Sequence, residues 1–272
     1  MNVNIADITI TSLETITAFD VVTGGFLFTL DELQSATITQ AQDKNDITGK
    51  QGRKLNSIKR NKTVTISGDN GLVSAGLLSL QTGGKFENKE TIVMWCDYLT
   101  VKEKKAKLNY KAVGAEDAQI SNLYIKNADG TLGDAYTQDS AADYASKKFK
   151  YDSSTQEIDF GEADDLNGKE IVVWYNRQIT ASVMSNYSDT YSEKCTLYVD
   201  AIGEDTCGNQ YHVQFYIPKA DFDGNFDFSM GDNQTVHSFE AEALAGACGT
   251  SGKYFDFTIF GADEDSDAAV GP

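Results

Sequence analysis

Residues 49–84 read GKQGRKLNSIKRNKTVTISGDNGLVSAGLLSLQTGG, and three signals follow one another in this stretch. Gly49–Lys62 carries six basic residues and no acid, in a polar setting rich in Gly and Asn. Thr63–Ser67 (TVTIS) alternates, with Val64 and Ile66 on one face and Thr63 and Thr65 on the other, which is the period of a half-buried strand. Leu72, Val73, Gly76, Leu77 and Leu80 then fall at helical spacing, between a cap at Asp69 or Asn70 and a stop at Gly83-Gly84. A strand preceded by a long basic connection and followed by one short helix describes a β protein with a single helix.

Outward from this stretch, strand signals dominate. Short alternating or β-branched runs occur at Val3–Ile10, Phe26–Leu30, Thr91–Trp95, Leu123–Ile125, Glu170–Tyr175, Cys195–Ala201, Tyr211–Ile217 and Tyr254–Phe260. Asp129-Gly130, Asn167-Gly168, Gly208-Asn209 and Asp223-Gly224 supply turns. Asp139–Lys148 is a weak second helix, and Phe239–Ala247 is ambiguous, because its alanines favour helix while Thr235–Ala241 alternates like a strand. Residues 44–62 read as a long loop between two strand-like segments, a hairpin extension that orders on assembly. Residues 1–111 and 169–272 form the main β domain in this reading. Residues 112–168 are either an inserted β subdomain or elongated hairpins of the main sheet.

Charge narrows the function. The chain of 272 residues has 41 acidic and 23 basic side chains, a net charge of −18, which repels phosphate backbones and anionic membranes. The distribution is uneven: residues 1–49 carry seven acids and one lysine, and Ala220 to the end carries eleven acids and one lysine. A chain with acidic ends and a basic internal segment has complementary patches for binding copies of itself. No apolar run reaches the roughly 18–20 residues that span a bilayer, and the first residues lack the pattern of a secretory signal.

Catalytic and metal constellations fail on residue type or spacing. The two histidines, His212 and His237, sit in strand-like runs, and none of the four cysteines (Cys96, Cys195, Cys207, Cys248) forms a C-x-x-C pair. Cys207 with His212 is an isolated pair, too few ligands for zinc. Asp221, Asp223, Asn225, Asp227 and Asp232 match positions 1, 3, 5, 7 and 12 of a calcium loop, but Phe226 stands where the turn needs glycine and Asp232 where a bidentate Glu is needed. No P-loop, GxGxxG, GxSxG or HExxH is present. Asp164-Asp165 reads as a solvated turn. No cofactor and no enzymatic activity are expected.

Residues 47–83 (ITGKQGRKLNSIKRNKTVTISGDNGLVSAGLLSLQTG) and 191–249 (YSEKCTLYVDAIGEDTCGNQYHVQFYIPKADFDGNFDFSMGDNQTVHSFEAEALAGACG) resemble the major tail tube proteins of long-tailed, siphovirus-like bacteriophages. LYIKNADGTLGDAYTQ (123–138) and KEIVVWYNRQI (169–179) are similar to the variable middle of such proteins. The resemblance implies an all-β fold, a tail-tube-type β-sandwich or barrel with one flanking helix and a long stacking loop. It implies hexameric rings that stack into a tail tube in the virion, assembled in the host cytoplasm around a tape-measure protein, closed by a tail terminator and later conducting double-stranded DNA. Under this reading residues 112–168 decorate the tube exterior. The basic residues Lys50, Arg53, Lys54, Lys59, Arg60 and Lys62 join one ring to the acidic surface of the next. The alternatives are another virion protein (a tail terminator or capsid decoration protein) and a carbohydrate-binding adhesin β-sandwich, which would need a clustered aromatic face.

Overall fold

The computed structural model describes residues 7–140, 146–162, 164–229, 236–245 and 252–261. The chain divides into two compact units: Met1–Phe86 with Met184–Pro272, and Glu87–Val183.

The first unit contains β1 (Ile8–Asp20), β2 (Phe26–Leu30), β3 (Leu33–Thr48), β4 (Lys54–Asn70) and α1 (Ala75–Thr82). The second contains β5 (Glu87–Thr100), β6 (Lys105–Lys107), β7 (Ile120–Lys126), β8 (Leu132–Gln138), β9 (Lys148–Asp152), β10 (Glu157–Asp159) and β11 (Glu170–Val183). The chain then returns to the first unit with β12 (Lys194–Asp205), β13 (Gln210–Phe222), β14 (Phe228–Ser229), β15 (Val236–Ala243) and β16 (Asp256–Gly261).

In the first unit the sheet runs β2-β1-β12-β13-β15-β4-β3. β13 is shared: Tyr211–Tyr216 pair with β16, while Ala220–Phe222 pair with β15. The sheet therefore turns a corner along β13, and its two leaves fold onto one core. Alternation builds that core. In β12, Cys195, Leu197, Val199 and Ala201 point inward, and Ile16 and Ala18 of β1, Val64 and Ile66 of β4, and Phe239, Ala241 and Ala243 of β15 meet them. Each large apolar side chain buried here contributes about 1.5–3 kcal/mol.

The helix places Leu77 and Leu80 in this core beside Phe28 and Leu30. It begins one turn later than the sequence suggests. Ser74, not Asp69 or Asn70, is the N-cap, its hydroxyl accepting from the Leu77 amide at 3.3 Å. Asp69 and Asn70 are spent in the β4 ladder, and Leu72 and Val73 are exposed. Gly83 ends the helix as expected, at φ +69°, where a side chain would run into the Tyr191 carbonyl.

The ambiguous Phe239–Ala247 run resolves as strand as far as Ala243, because its alternate residues fill the core. Of the weak helix Asp139–Lys148, residues 141–145 lie outside the described residues; Ser146 and Lys147 form a turn and Lys148 begins β9. Val3 to Ala6 of the first strand run also lie outside them.

The second unit is a seven-stranded sheet in the order β5-β11-β7-β8-β9-β10-β6 around its own core, which includes Val101, Leu123, Phe149, Phe160, Ile171 and Val173. It is wider than the 112–168 read from sequence. The sequence reading puts Thr91–Trp95 and Glu170–Tyr175 in the main domain. They belong to β5 and β11, which pair with each other without a break from Glu87↔Val183 to Thr100↔Glu170. These two strands are therefore the stem of the inserted unit.

Candidate functional site

The basic segment is a regular antiparallel ribbon. β3 and β4 pair from Leu33↔Asn70 to Thr48↔Lys54, so 44–62 is not a loop waiting to order but two strands closed by a tip at Lys50–Gly52. The tip is held by the Gly49 amide donating to the Arg53 carbonyl at 2.7 Å and the Gly52 amide donating to the Gly49 carbonyl at 3.1 Å. Leu55 packs directly over Gly49, where an added Cβ would lie 2.7 Å from the leucine Cδ1. A bulge interrupts the register between Ala41 and Asp43, and Asn61 takes φ 50° there. Asn61 Nδ2 donates to Asp43 Oδ2 at 2.8 Å across that bulge.

Below the bulge the ribbon belongs to the core, through Val64 and Ile66. Above it, burial stops. From Thr39 to Thr63 every residue is exposed except Gly49 and Ser57, which are half-buried. Three of the exposed residues are large and apolar: Ile47, Leu55 and Ile58, at 43, 57 and 38% exposure. A two-stranded ribbon with both faces in water is marginal by itself, so these side chains are available to a partner.

The six basic residues singled out in the sequence do not form one cluster. Lys50 and Arg53 stand at the tip. Lys54 opens β4 and pairs with Asp46 at 2.6 Å. Lys59 and Arg60 lie along the ladder, opposite Lys44 and Asp43. Lys62 sits at the root, its ammonium 5.5 Å from the centre of the Tyr254 ring, while the Tyr254 hydroxyl donates to its carbonyl at 2.7 Å. Lys44 is a seventh cation that charge counting over 49–62 passes over. Residues 40–62 thus hold seven basic and two acidic side chains, a net of +5, which leaves −23 on the rest of the chain.

The other candidates have structural partners. His237 is fully buried; its Nδ1 accepts from the Ser74 amide at 3.3 Å and its Nε2 lies 2.8 Å from Gln81 Oε1, so the ring is neutral with the proton on Nε2. Burial holds its pKa below the ordinary value. His212 stacks on Phe260 with ring centres 5.4 Å apart. Cys195 is buried, which pushes its thiol up to about 12. Cys248 and Asp232 lie outside the described residues. Asp221 pairs with Lys194 at 3.3 Å, and Asp223 accepts from Asn225 at 3.0 Å. Asp164 accepts from the Lys147 amide at 2.7 Å and the Ser146 hydroxyl at 2.9 Å, and these bonds, the amide first, hold its pKa low. Among the described residues no group of three or more His, Cys, Asp or Glu is placed to hold a metal ion. None of their helices is long and apolar enough to cross a membrane.

Sequence reasoning missed one polar centre, in the second unit. Asp97 is 2% exposed and makes no salt bridge among the described residues; its carboxylate accepts from Tyr175 Oη at 2.8 Å, Trp95 Nε1 at 3.0 Å, and Asn109 through the backbone amide at 2.9 Å and Nδ2 at 2.7 Å. The Tyr175 hydroxyl in turn accepts from the Tyr110 amide at 3.1 Å. The Arg177 guanidinium lies over the Tyr110 ring at 3.6 Å. These groups are scattered from residue 95 to 177, so no local motif announces them.

What remains is the ribbon, whose two faces are exposed along Thr39–Thr63. The sequence model of the YomU/Tube protein family matches residues 8–257. The chain belongs to this family of phage tail tube proteins. Membership in the YomU/Tube family makes it a structural component of the phage tail and of the virion. The match runs through both units, so the YomU/Tube sequence pattern includes the inserted sheet of Glu87–Val183 as well as the first unit. No curated protein matches the chain.

Proposed function

We propose that the protein is the repeating subunit of a tail tube, forming hexameric rings that stack through the β3–β4 ribbon into a conduit for double-stranded DNA. The observation that carries this reading is the ribbon itself, regular in backbone, exposed on both faces, and positively charged in a strongly negative chain. Such an element gains from docking on an acidic surface of another copy, where its charges find partners and Ile47 and Ile58 leave water. A contact between two different surfaces of the same chain repeats in every copy, so it closes into rings or extends as a stack.

The remaining charge of −23 supports the conduit. Like-charge repulsion keeps the phosphate backbone from adhering as DNA passes. The tape-measure protein within the lumen and a terminator at the tube end are the partners this role requires, and the host cytoplasm is where such a tail is assembled. No catalytic step enters this function.

Negative-stain electron microscopy of the purified full-length protein tests the reading. Six domains of roughly 3–4 nm around a channel give rings or tubes about 10 nm wide. A persistent monomer in all conditions would overturn it. Rings that never stack would favour a tail terminator.

A further inference from the structure

On the outward face of β3, β4 and β15 lies a groove of about 660 Å³, walled on one side by the Asn225–Asp227 segment. Its floor follows from the register: Thr37, Ser67 and Glu240 form one row across the three strands, and Ser35, Asp69 and Ser238 form the next. Asp227 stands in the wall, its amide donating to the Ser238 hydroxyl at 2.9 Å. Asp69, Asp227 and Glu240 have no ion pair among the described residues, and no lysine or arginine lines the groove. At the other end of the same ribbon, Lys50 and Arg53 likewise have no carboxylate partner among the described residues.

We infer that this groove receives the Lys50–Arg53 tip of the next copy, so that each chain carries plug and socket at opposite ends of one ribbon. This rests on the ring-stacking reading. The occupant is set by charge complementarity and by shape: a two-stranded tip bearing cations enters a groove lined by hydroxyls and three carboxylates. Opposite placement makes the contact head-to-tail, and the ribbon sets its period. Eleven residue steps from Thr37 to Thr48, at about 3.3 Å each, give roughly 36 Å along the strands. With the tip added, the repeat between successive rings is roughly 35–40 Å.

Two experiments on the full-length protein test the inference. In the first, Asp69→Lys, Asp227→Lys and Glu240→Lys are combined, and assembly is followed by negative-stain microscopy. Rings without stacks are expected, and adding Lys50→Glu and Arg53→Glu to the same chain restores stacking. In the second, Lys50→Cys and Thr37→Cys are placed together in a Cys207→Ser background. The two positions are too far apart to bridge within one chain. Mild oxidation therefore produces a ladder of disulfide-linked chains, absent from either single variant. This arm stands even if the triple lysine variant fails to fold. Tubes that form from the parent protein but give no ladder, or that persist in a folded triple variant, overturn the plug-and-socket contact and leave the tube function standing. A parent protein that never stacks overturns the tube function, and this contact with it.

Discussion

Lys44 and Lys59 are direct partners across the β3–β4 ladder, two ammonium-bearing side chains on the same face of an exposed ribbon. Like charges directly opposite destabilise a strand pair, so the isolated subunit holds an unfavourable contact that, under the stacking proposal, a carboxylate from another copy would relieve. Lys59→Glu turns the pair into an attractive one. It should stabilise the monomer slightly, by about 0.2–1 kcal/mol, while weakening tube formation. Thermal melts of the monomer and sedimentation of the assembled fraction check the two halves. An effect of the same sign on both would show that Lys59 meets no acid on assembly.

The tip and the root of the ribbon should separate in mutagenesis. Reversing Lys50, Arg53, Lys54, Lys59 and Arg60 to Glu should abolish stacking while circular dichroism and melting stay close to the parent, since all five are exposed and only Lys54 has an ion-pair partner among the described residues. Lys62→Ala should do the reverse. It removes the contact with the Tyr254 ring, worth about 0.5–1 kcal/mol at an exposed site, and leaves stacking near the parent level. The parent stack should also loosen as salt rises, because its surface charges are screened beyond roughly 10 Å at 0.1 M. Tubes indifferent to both charge reversal and salt would point to the apolar residues Ile47, Leu55 and Ile58 as the main contact.

The His237 contacts predict a pH dependence. Burial lowers its pKa from the ordinary 6.5, so over the interval just below 6.5 the unfolded chain binds a proton that the folded chain refuses. Its contribution to stability is complete above 6.5 and is lost as pH falls from 6.5 towards the folded pKa. The slope reaches at most about 1.4 kcal/mol per pH unit. Denaturant melts between pH 7 and 5 should show this decline, and His237→Gln, which keeps a donor for Gln81 but cannot titrate, should flatten it. A slope unchanged in that variant would assign the effect to carboxylates instead.

How legible each feature was depends on what local sequence encodes. Core strands were readable because one face is buried: Val64 and Ile66, or Leu197 and Val199, alternate with polar neighbours. The ribbon was not, because neither of its faces is buried above Asn61; without a buried face the alternation vanishes and regular strand reads as loop. The inserted unit was placed too narrowly for a different reason. Glu170–Tyr175 reads as strand in either unit, and its partner residues in β5, Thr100 to Trp95, lie 70 to 80 positions away. The helix start was displaced because Asp69, Asn70 and Ser74 are all good caps, and ladder pairing in β4 claims the first two. Charge along the chain singles out the segment that forms the ribbon, but the groove that we assign to it is built by β3, β4, β15 and the Asn225–Asp227 segment together, a juxtaposition only the folded sheet creates.

The Asp97 centre gives the sharpest test of the division into two units. Four donors converge on this carboxylate from Tyr175, Trp95 and Asn109, and the Tyr175 hydroxyl is held in the neutral form, its pKa raised by burial first and by its bond to Asp97 second. Asp97→Ala leaves the buried Tyr175 hydroxyl without its acceptor, while the donors of Trp95 and Asn109, both exposed residues, can turn to water. A buried orphan costs about 1–3 kcal/mol and the exposed donors little, so a net loss of about 2–3 kcal/mol is expected. Asp97→Asn keeps the oxygen but adds an amide donor that has no acceptor there, and should cost about half as much. The damage should stay within Glu87–Val183, because all the partners of Asp97 lie in that unit and the first unit has its own core. Calorimetry of Asp97→Ala should therefore show a low-temperature transition absent from the parent, with the transition of the other unit unmoved. Amide exchange would assign that new transition to β5, β7 and β11. If a single cooperative transition instead shifts as a whole, the two units unfold as one, and the inserted sheet contributes to the stability of the sandwich that bears the ribbon.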